Sequence, residues 1–594
     1  MDRNNLIAFA LSMLVFAGYL FYQDQRRDEA LATAESGRSA VVASDSGTER
    51  SASAEGATPT EASDAAAAGS TGATPSKGAT VGELAEGSPT PDATTVAGSA
   101  DDRPASGRSP EIAAAVHTLE NSDVVARISN GPALIEGWSL VRYDERLPDG
   151  SIPIDLVEAG EAIIGTGIYG IPGGFTPTRY EVVHAGPREI VQRAQTEAGV
   201  FMRTLRLDAS GFGFDLELAF DSRLAQPVDA GFELLWPART STRADFKEVS
   251  LLAYGGESGV TRTLVGGLGK AGFLGFGGTP DGKEIVEGAV QWAGFDVPYF
   301  TGVLMDPEAR DRIHVVFEAI DATVSGRARM TLPSVSVAAS GSAQENLRGF
   351  FGPKDPEALE RVAASLAHSV NRGWSWLEPL TRFFEIALDW LYRFIPNYGI
   401  AIIVLTIMVR LVTAPLMMNQ MRSAERMRAV QPKMKALQER YKDDRQRQSE
   451  ELMKLYKEEG INPLGGCLPL LLQFPVLVGL FYALRSSIGL RHAHFVSWID
   501  DLSQPDLLFT LPGVDFPVRL LPLLMGASMY AQQKMTPTTG MDPAQARMML
   551  VMMPAMMLLI SYTFPSGLVL YWTVSNLLGI GHQSWIRRQT RTQS

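Results

Sequence analysis

Hydrophobic and polar positions along this chain follow three different periods in turn. Residues 6–22 are almost continuously apolar, about 17 positions, at the lower length limit for a membrane-spanning helix. Residues 24–110 are then mainly Ala, Ser, Gly, Thr, Pro and acid, too poor in large apolar groups to bury a core, which predicts a disordered linker. From residue 111 the period becomes two. Phe212, Phe214, Leu216, Leu218 and Phe220 point one way while Gly213, Asp215, Glu217 and Ala219 point the other, the signature of a half-buried strand. Further strand-like segments at 124–128 and 313–318, separated by glycine-rich turns, predict an antiparallel β-sandwich over residues 111–345. Residues 346–398 form a connecting segment, and over 374–394 the period becomes helical. Trp374, Leu377, Leu380, Phe384, Leu388 and Leu391 share one side, opposite Glu378, Arg382, Glu385, Asp389 and Arg393, as in a helix lying in a membrane interface or against other helices. Five apolar spans complete the pattern, at 399–416, 463–484, 516–532, 548–564 and 567–586.

The expected fold class is therefore an α-helical polytopic membrane protein with a large antiparallel β-sandwich outside the membrane. Six transmembrane helices are expected, one from the anchor in residues 1–23 and five forming a core over 399–586, before a short basic tail at 587–594. The first apolar run is expected to stay as an anchor. The nearest small-residue patterns, Ala30-Leu31-Ala32 and Ala32-Thr33-Ala34, lie beyond charged residues 24–29, too far from the apolar core for a usual processing site.

Between the first two core spans, residues 419–460 are polar and helical in composition. Pro432 and the Lys442-Asp443-Asp444 break are expected to divide them into two helices, with Met427, Met434, Leu437 and Tyr441 facing Leu452, Leu455 and Tyr456 in a projecting hairpin. Basic residues from Arg422 to Lys457 place this hairpin on the cytoplasmic side, and Arg587, Arg588 and Arg591 place the tail there too. The loop at 486–515 carries Asp500, Asp501, Asp506 and Asp515 against Arg491, which puts it outside. The net charge is −13 and unevenly spread, the linker being acidic, so nucleic-acid specificity is not implied. Cys467 is the one cysteine, which excludes disulfides within the chain and cysteine metal clusters.

Arg410 stands inside the first core span. A charge at the centre of a membrane helix costs from about 3 to more than 10 kcal/mol, so such residues normally face a partner, water or a substrate. The interiors of the five spans hold no Asp or Glu, which favours a hydrated, polar-lined pocket; an arginine solvated by carbonyls and snorkelling to an interface is the alternative. Thr406 and Thr413 share Arg410's helical face. Gln473, Gln532, Gln533, Ser561, Thr563, Thr573, Ser575 and Asn576 on other spans extend the candidate lining, although hydroxyls in membrane helices often bond their own backbone. Methionines at 548, 549, 552, 553, 556 and 557 suit either adaptable recognition or ordinary packing.

Catalytic chemistry is not signalled. His117, His184 and His314 have no metal-ligand spacing, and neither a metal nor a cofactor is expected. The absence of a phosphate-binding glycine loop with lysine argues against an ATP-driven pump. A solute channel or transporter, and a tethered carbohydrate-binding or epimerising β-domain, remain as readings from other classes.

Several long motifs resemble one family. These are Phe351-Gly-Pro-Lys354, the Arg410 span, Asn462-Pro-Leu-Gly-Gly-Cys-Leu-Pro-Leu-Leu-Leu-Gln473-Phe-Pro475, Lys534-Met-Thr-Pro-Thr, and Phe564-Pro-Ser-Gly-Leu-Val-Leu-Tyr571-Trp572-Thr-Val-Ser575-Asn576. In this order they resemble the YidC-type membrane protein insertases, and the β-domain and first helix are similar to the Gram-negative inner-membrane form. The resemblance implies a periplasmic β-domain, cytoplasmic termini and no enzymatic step. It implies a polar groove containing Arg410 that receives nascent membrane proteins and releases their apolar helices into lipid, alone or with the Sec translocon. Thr406 and the pair Tyr571-Trp572 correspond to positions linked to groove and substrate contact; the family pattern has two tyrosines where this chain has Tyr571 and Trp572. Ribosome contact is implied for the hairpin and the loop at 534–547, and membrane lipids are implied as partners.

Overall fold

A computed structural model describes residues 112–593 apart from 146–151, 158–161, 242, 256–258, 271–278, 322–323, 443, 461–467, 514–515 and 536–542. The expected anchor at 1–23 and linker at 24–110 lie outside the described residues.

Alternating side chains fold into two facing antiparallel sheets, of 10 and 9 strands. The strand Gly213–Ser222 buries Phe214, Leu216, Leu218 and Phe220 and turns Asp215 outward, as its period of two requires. It pairs along Ser342–Pro353, which in turn pairs with Phe300–Met305, so the sandwich runs past residue 345. Between the sheets Trp138, Trp236 and Trp292 are fully buried, and Trp138 Nε1 donates to the Phe351 carbonyl at 2.8 Å. One charge in this interior is Arg203. It donates to Gln192, to the Thr166 hydroxyl and to the carbonyls of Ser129, Gly131 and Pro132, with its guanidinium 3.6 Å from the Tyr180 ring centre. Burial pulls its pKa down to about 10, so it remains charged at neutral pH and ties down the turn at 129–132.

A second buried charge closes the sandwich. Lys354 Nζ meets Asp296 Oδ1 at 2.5 Å, while Arg262 Nε reaches the other oxygen at 3.1 Å and its Nη2 continues to the Ser369 carbonyl at 2.6 Å. Burial pushes the Lys354 ammonium below the ordinary lysine range, with Asp296 opposing. Helix α1 (Pro356–Val362) starts next to it on an Asp355 cap that accepts from Ala358 N, an anchor of the usual N-terminal type.

Helix α2 (Glu378–Phe394) buries Phe384, Leu388 and Leu391 of the expected apolar side, together with Thr381, whereas Trp374, also expected there, stands before the helix and is exposed. Phe383, Ile386, Trp390 and Phe394 are exposed on the same helix, so it is apolar on more of its surface than contact with the neighbouring helices requires. Helix α3 (Tyr398–Arg440) starts on an Asn397 cap and runs for 43 residues through Pro415 and Pro432. The break expected at Pro432 is therefore absent. Proline removes one backbone hydrogen bond and clashes with the carbonyl four residues back, a penalty of about 3 kcal/mol, which a helix packed on both sides of the site can absorb. Helix α4 (Arg445–Glu458), capped by Asp444, folds back on α3. Val430, Met434 and Leu455 are buried between them, with Leu437, Leu452 and Tyr456 alongside; the side chain of Met427 lies outside the described set.

The remaining helices are α5 (Leu468–Ser486), α6 (Leu520–Met535), α7 (Pro543–Ser561) and α8 (Ser566–Gln593). They gather around buried Leu405, Leu480, Met525 and Val569. The apolar run expected as a span from 516 is divided, since Phe516–Val518 is a strand paired with Phe509–Leu511. Asp506 Oδ2 accepts from Leu520 N and Leu521 N at 2.8 and 2.9 Å, which fixes the helix start there. Helix α8 continues through the expected tail to Gln593. Among the described residues, Tyr398–Pro415 is long and apolar enough to cross a membrane, and Leu550–Ser561 is a shorter apolar stretch. Helix α6, with 16 residues, is roughly 24 Å long, short of the ~30 Å hydrocarbon layer.

Sandwich and helices meet at a buried ion pair. Arg491, from the loop after α5, donates through Nη2 to Asp245 Oδ2 at 2.8 Å and to the Asp144 carbonyl, and lies 5.3 Å from the Phe300 ring centre. The two side chains are only 4% and 7% exposed. Tyr299 bonds Ser503 from the other side of this joint, and burial holds its hydroxyl well above the ordinary tyrosine range. Arg485 reaches Glu248 nearby.

Candidate functional site

Packing of α3 on α8 positions Arg410. Ala401, Ile402 and Leu405 are buried with Leu568, Val569 and Tyr571, and the next turn of α3 brings the guanidinium over Ser575. Arg410 Nη2 donates to Ser575 Oγ at 2.6 Å and Nε at 3.1 Å. Tyr571 stands four residues before Ser575 on α8, hence on the same face, and its hydroxyl accepts from Gln473 Nε2 of α5 at 3.0 Å. A polar line thus crosses three helices, from Arg410 through Ser575 and Tyr571 to Gln473.

Asn576 turns toward α6, where its Nδ2 donates to Ser528 Oγ at 3.1 Å. Gln532 is the next contact along α6. A side-chain carbon placed on Gly579 would lie 2.6 Å from Gln532 Nε2 and 3.9 Å from Arg410 Nη2. The bare backbone at Gly579 is what lets the two polar ends approach.

Other expected lining residues are used differently. Thr406 is buried and donates to the Ile402 carbonyl at 2.6 Å, and Thr413 donates to the Val409 carbonyl at 2.9 Å. Both share the helical face of Arg410, but their hydroxyls bond their own helix. Thr573, Ser561 and Thr563 likewise bond carbonyls of nearby turns in their own segments. Gln533 Nε2 donates to Met553 Sδ at 3.2 Å. Trp572, one residue and about 100° round from Tyr571, is half-buried against the apolar cluster, away from the polar line. Ser528 and Gly579 are not visible as site residues in the sequence, where small residues in apolar helices read simply as packing.

The groups brought together are a guanidinium, hydroxyls and amides. Such a set holds polar or anionic peptide groups through hydrogen bonds, the arginine fork being suited to a carboxylate.

Two family models match successive parts of the chain: YidC periplasmic domain over residues 117–385 and 60Kd inner membrane protein over residues 390–593. The chain belongs to the YidC family. A relative named membrane protein insertase YidC from Pelobacter propionicus is 42% identical over 311 residues, covering 52% of this chain and 56% of the relative. One of the same name from Aeromonas hydrophila is 44% identical over 261 residues, covering 43% and 44%. The chain thus spans about half the length of the curated relatives it matches. A crystal structure described as an active YidC insertase with its first transmembrane domain resolved shares 17% identity at a TM-score of 0.32, covering 78% of this chain and 91% of that one. In this member of the YidC family the sandwich corresponds to the matched periplasmic domain, and the Arg410 line lies wholly within the region matched to the inner membrane protein.

Proposed function

We propose that this protein is a membrane protein insertase and chaperone, working without a covalent step, in which the Arg410 line is the floor of a groove for nascent membrane proteins. The observation that carries this reading is a hydrogen-bonding line built across α3, α5 and α8 inside an otherwise apolar helical cluster, in a chain of this family. Each Leu, Ile, Phe or Val of a client helix gains roughly 0.3–0.6 kcal/mol on entering the bilayer, so a helix of ordinary length supplies on the order of 10 kcal/mol. Its polar outer segment opposes entry. Arg410, Ser575, Tyr571 and Gln473 replace part of that segment's hydration and lower the barrier, while the apolar helix slides into lipid.

In this reading six helices cross the inner membrane, both termini are cytoplasmic and the sandwich is periplasmic. The Sec translocon is a co-worker for larger clients, and the ribosome is met through the α3–α4 hairpin and the loop at 534–547. Proteoliposomes carrying the protein are expected to insert a single-span client that protein-free liposomes leave outside, without releasing a trapped small solute. Solute release without client insertion would replace the insertase with a channel.

The sandwich is not the inserting part. Removal of residues 129–320 is expected to leave most client insertion intact, whereas disruption of α2 is expected to abolish it. Loss of all insertion in a stably folded deletion variant would contradict this.

The hairpin is expected to move relative to the membrane helices during client capture. Its apolar seam is thin, and Pro415 and Pro432 lie within α3, where missing backbone bonds make bending easier. A cross-link fixing α4 against the membrane helices should slow insertion. An unchanged rate would show that movement is not needed.

A further inference from the structure

The loop between α5 and α6 carries an apolar hairpin that neither the sandwich nor the helical cluster covers. Leu507, Leu508, Phe509, Leu511 and Phe516 are each 41–53% exposed. Every described position from Leu507 to Gly513 is open. Successive strand residues point to opposite faces, so the Phe509–Leu511 strand is open on both. A protein partner covers one face of a ribbon, whereas a fluid apolar phase covers both at once.

The exposure is imposed by the fold. Asp506 caps α6 at the base of the hairpin and also accepts from Trp498 Nε1 at 3.2 Å. Leu508 N donates to the Val518 carbonyl at 2.9 Å. Phe516 stacks on Tyr562 at 5.7 Å, and the Tyr562 hydroxyl donates to the Pro517 carbonyl. Arg519 lies 4.9 Å from the Tyr562 ring centre. Apolar exposure continues along α6 as Leu523 and Leu524. Residues 507–518 contain no Lys, Arg or Glu and a single acid, Asp515, which lies outside the described residues. An apolar ribbon, a tyrosine and an arginine at the start of an apolar helix form the combination that sits at a membrane surface, with aromatic and long cationic side chains at headgroup level.

We propose that the strand pair Phe509–Leu511 and Phe516–Val518 is a lipid-surface anchor, inserted among the headgroups and upper acyl chains of the leaflet facing the sandwich, where it holds the outer ends of α6 and α7. This rests on the helices being membrane-embedded, as proposed above. The test is a set of single-cysteine proteins made on a Cys467→Ser background, labelled with an environment-sensitive fluorophore and reconstituted in phosphatidylcholine–phosphatidylglycerol vesicles with quenchers placed at shallow or deep positions on the lipid chains. Leu511→Cys and Phe509→Cys report on the hairpin, Val412→Cys on α3, where Val412 is 78% exposed, and Val183→Cys on the sandwich, where Val183 is 53% exposed. The expected result is blue-shifted emission at 509 and 511 that the shallow quencher removes more than the deep one, with 412 also quenched by lipid and 183 in water. Hairpin labels resembling 183 while 412 is quenched would overturn the anchor and leave the membrane reading standing. Labels that are shifted to the blue yet untouched by lipid quenchers would mean a protein covers the hairpin, and would also overturn it. If 412 itself escapes lipid quenching, the membrane reading fails and the anchor with it.

Discussion

Arg410→Glu is expected to abolish insertion of clients whose outer segment is acidic, with Arg410→Ala reducing it by about ten- to a hundredfold and Arg410→Lys by less. The ranking follows from what the guanidinium does. It supplies positive charge to a region whose spans contain no Asp or Glu, and it grips Ser575 Oγ through two nitrogens. A hydrogen bond to a charged group contributes about 1.5–3 kcal/mol, and each ~1.4 kcal/mol is a factor of ten in rate. Lysine preserves the charge but lacks the planar fork, so it should keep attraction for an acidic segment while losing the fixed orientation over α8. Dependence on Arg410 should fall from acidic to neutral outer segments in otherwise identical clients. Insertion rates of such matched clients in proteoliposomes measure this, and equal rates for all variants on every client would remove Arg410 from the mechanism. A defect in Arg410→Lys as large as that in Arg410→Ala would instead assign the role to the forked contact with Ser575.

Arg491→Ala should destabilise the joint between sandwich and helices by about 3–5 kcal/mol, the usual consequence of leaving one member of a buried ion pair alone. Asp245 would lose its arginine partner at a site where its side chain is only 7% exposed, and the Asp144 carbonyl and Phe300 ring would lose the same partner. Replacing both Arg491 and Asp245 by alanine should harm the protein less than the sum of the single changes, because no unpaired charge remains. Thermal unfolding of the four proteins in detergent, treated as a double-mutant cycle, gives the coupling directly; additive effects would show that the pair does not link the two parts. The same contact qualifies the expected tolerance to deleting residues 129–320, since that deletion takes away Asp144, Asp245 and Phe300. Insertion by the deletion variant should improve when Arg491→Gln is added.

How much of this is legible in the sequence depends on how local each cause is. The alternation at 213–222 and the apolar side of α2 are readable because burial follows a fixed period along one element. Arg410 is readable because a charge within an apolar span has few explanations. Its partner Ser575, 165 residues away, can be suggested only as one of several hydroxyls, and nothing local separates it from Thr406, whose hydroxyl bonds its own backbone. Gly579 and Ser528 are silent, since their contribution is the room or the small partner they give to neighbours. The Arg491–Asp245 pair spans 246 residues and exists only because the sandwich docks on the loop. Two short signals mislead when read alone. Pro432 suggests a helix end, although packing carries α3 through it, and the apolar run from 516 suggests one span, although its first residues pair as a strand.

The central claim is that clients pass along the line from Arg410 to Gln473. Its most direct test is site-specific photo-crosslinking to nascent chains of increasing length stalled on the ribosome, using a photoreactive residue at Thr413 or Gln473, and at Val183 on the sandwich as a control. Cross-links should form from 413 and 473 as the client's apolar helix emerges, decline once it has entered lipid, and be absent from 183. Normal insertion by the labelled proteins with no cross-link from 413 or 473 at any chain length would contradict the account.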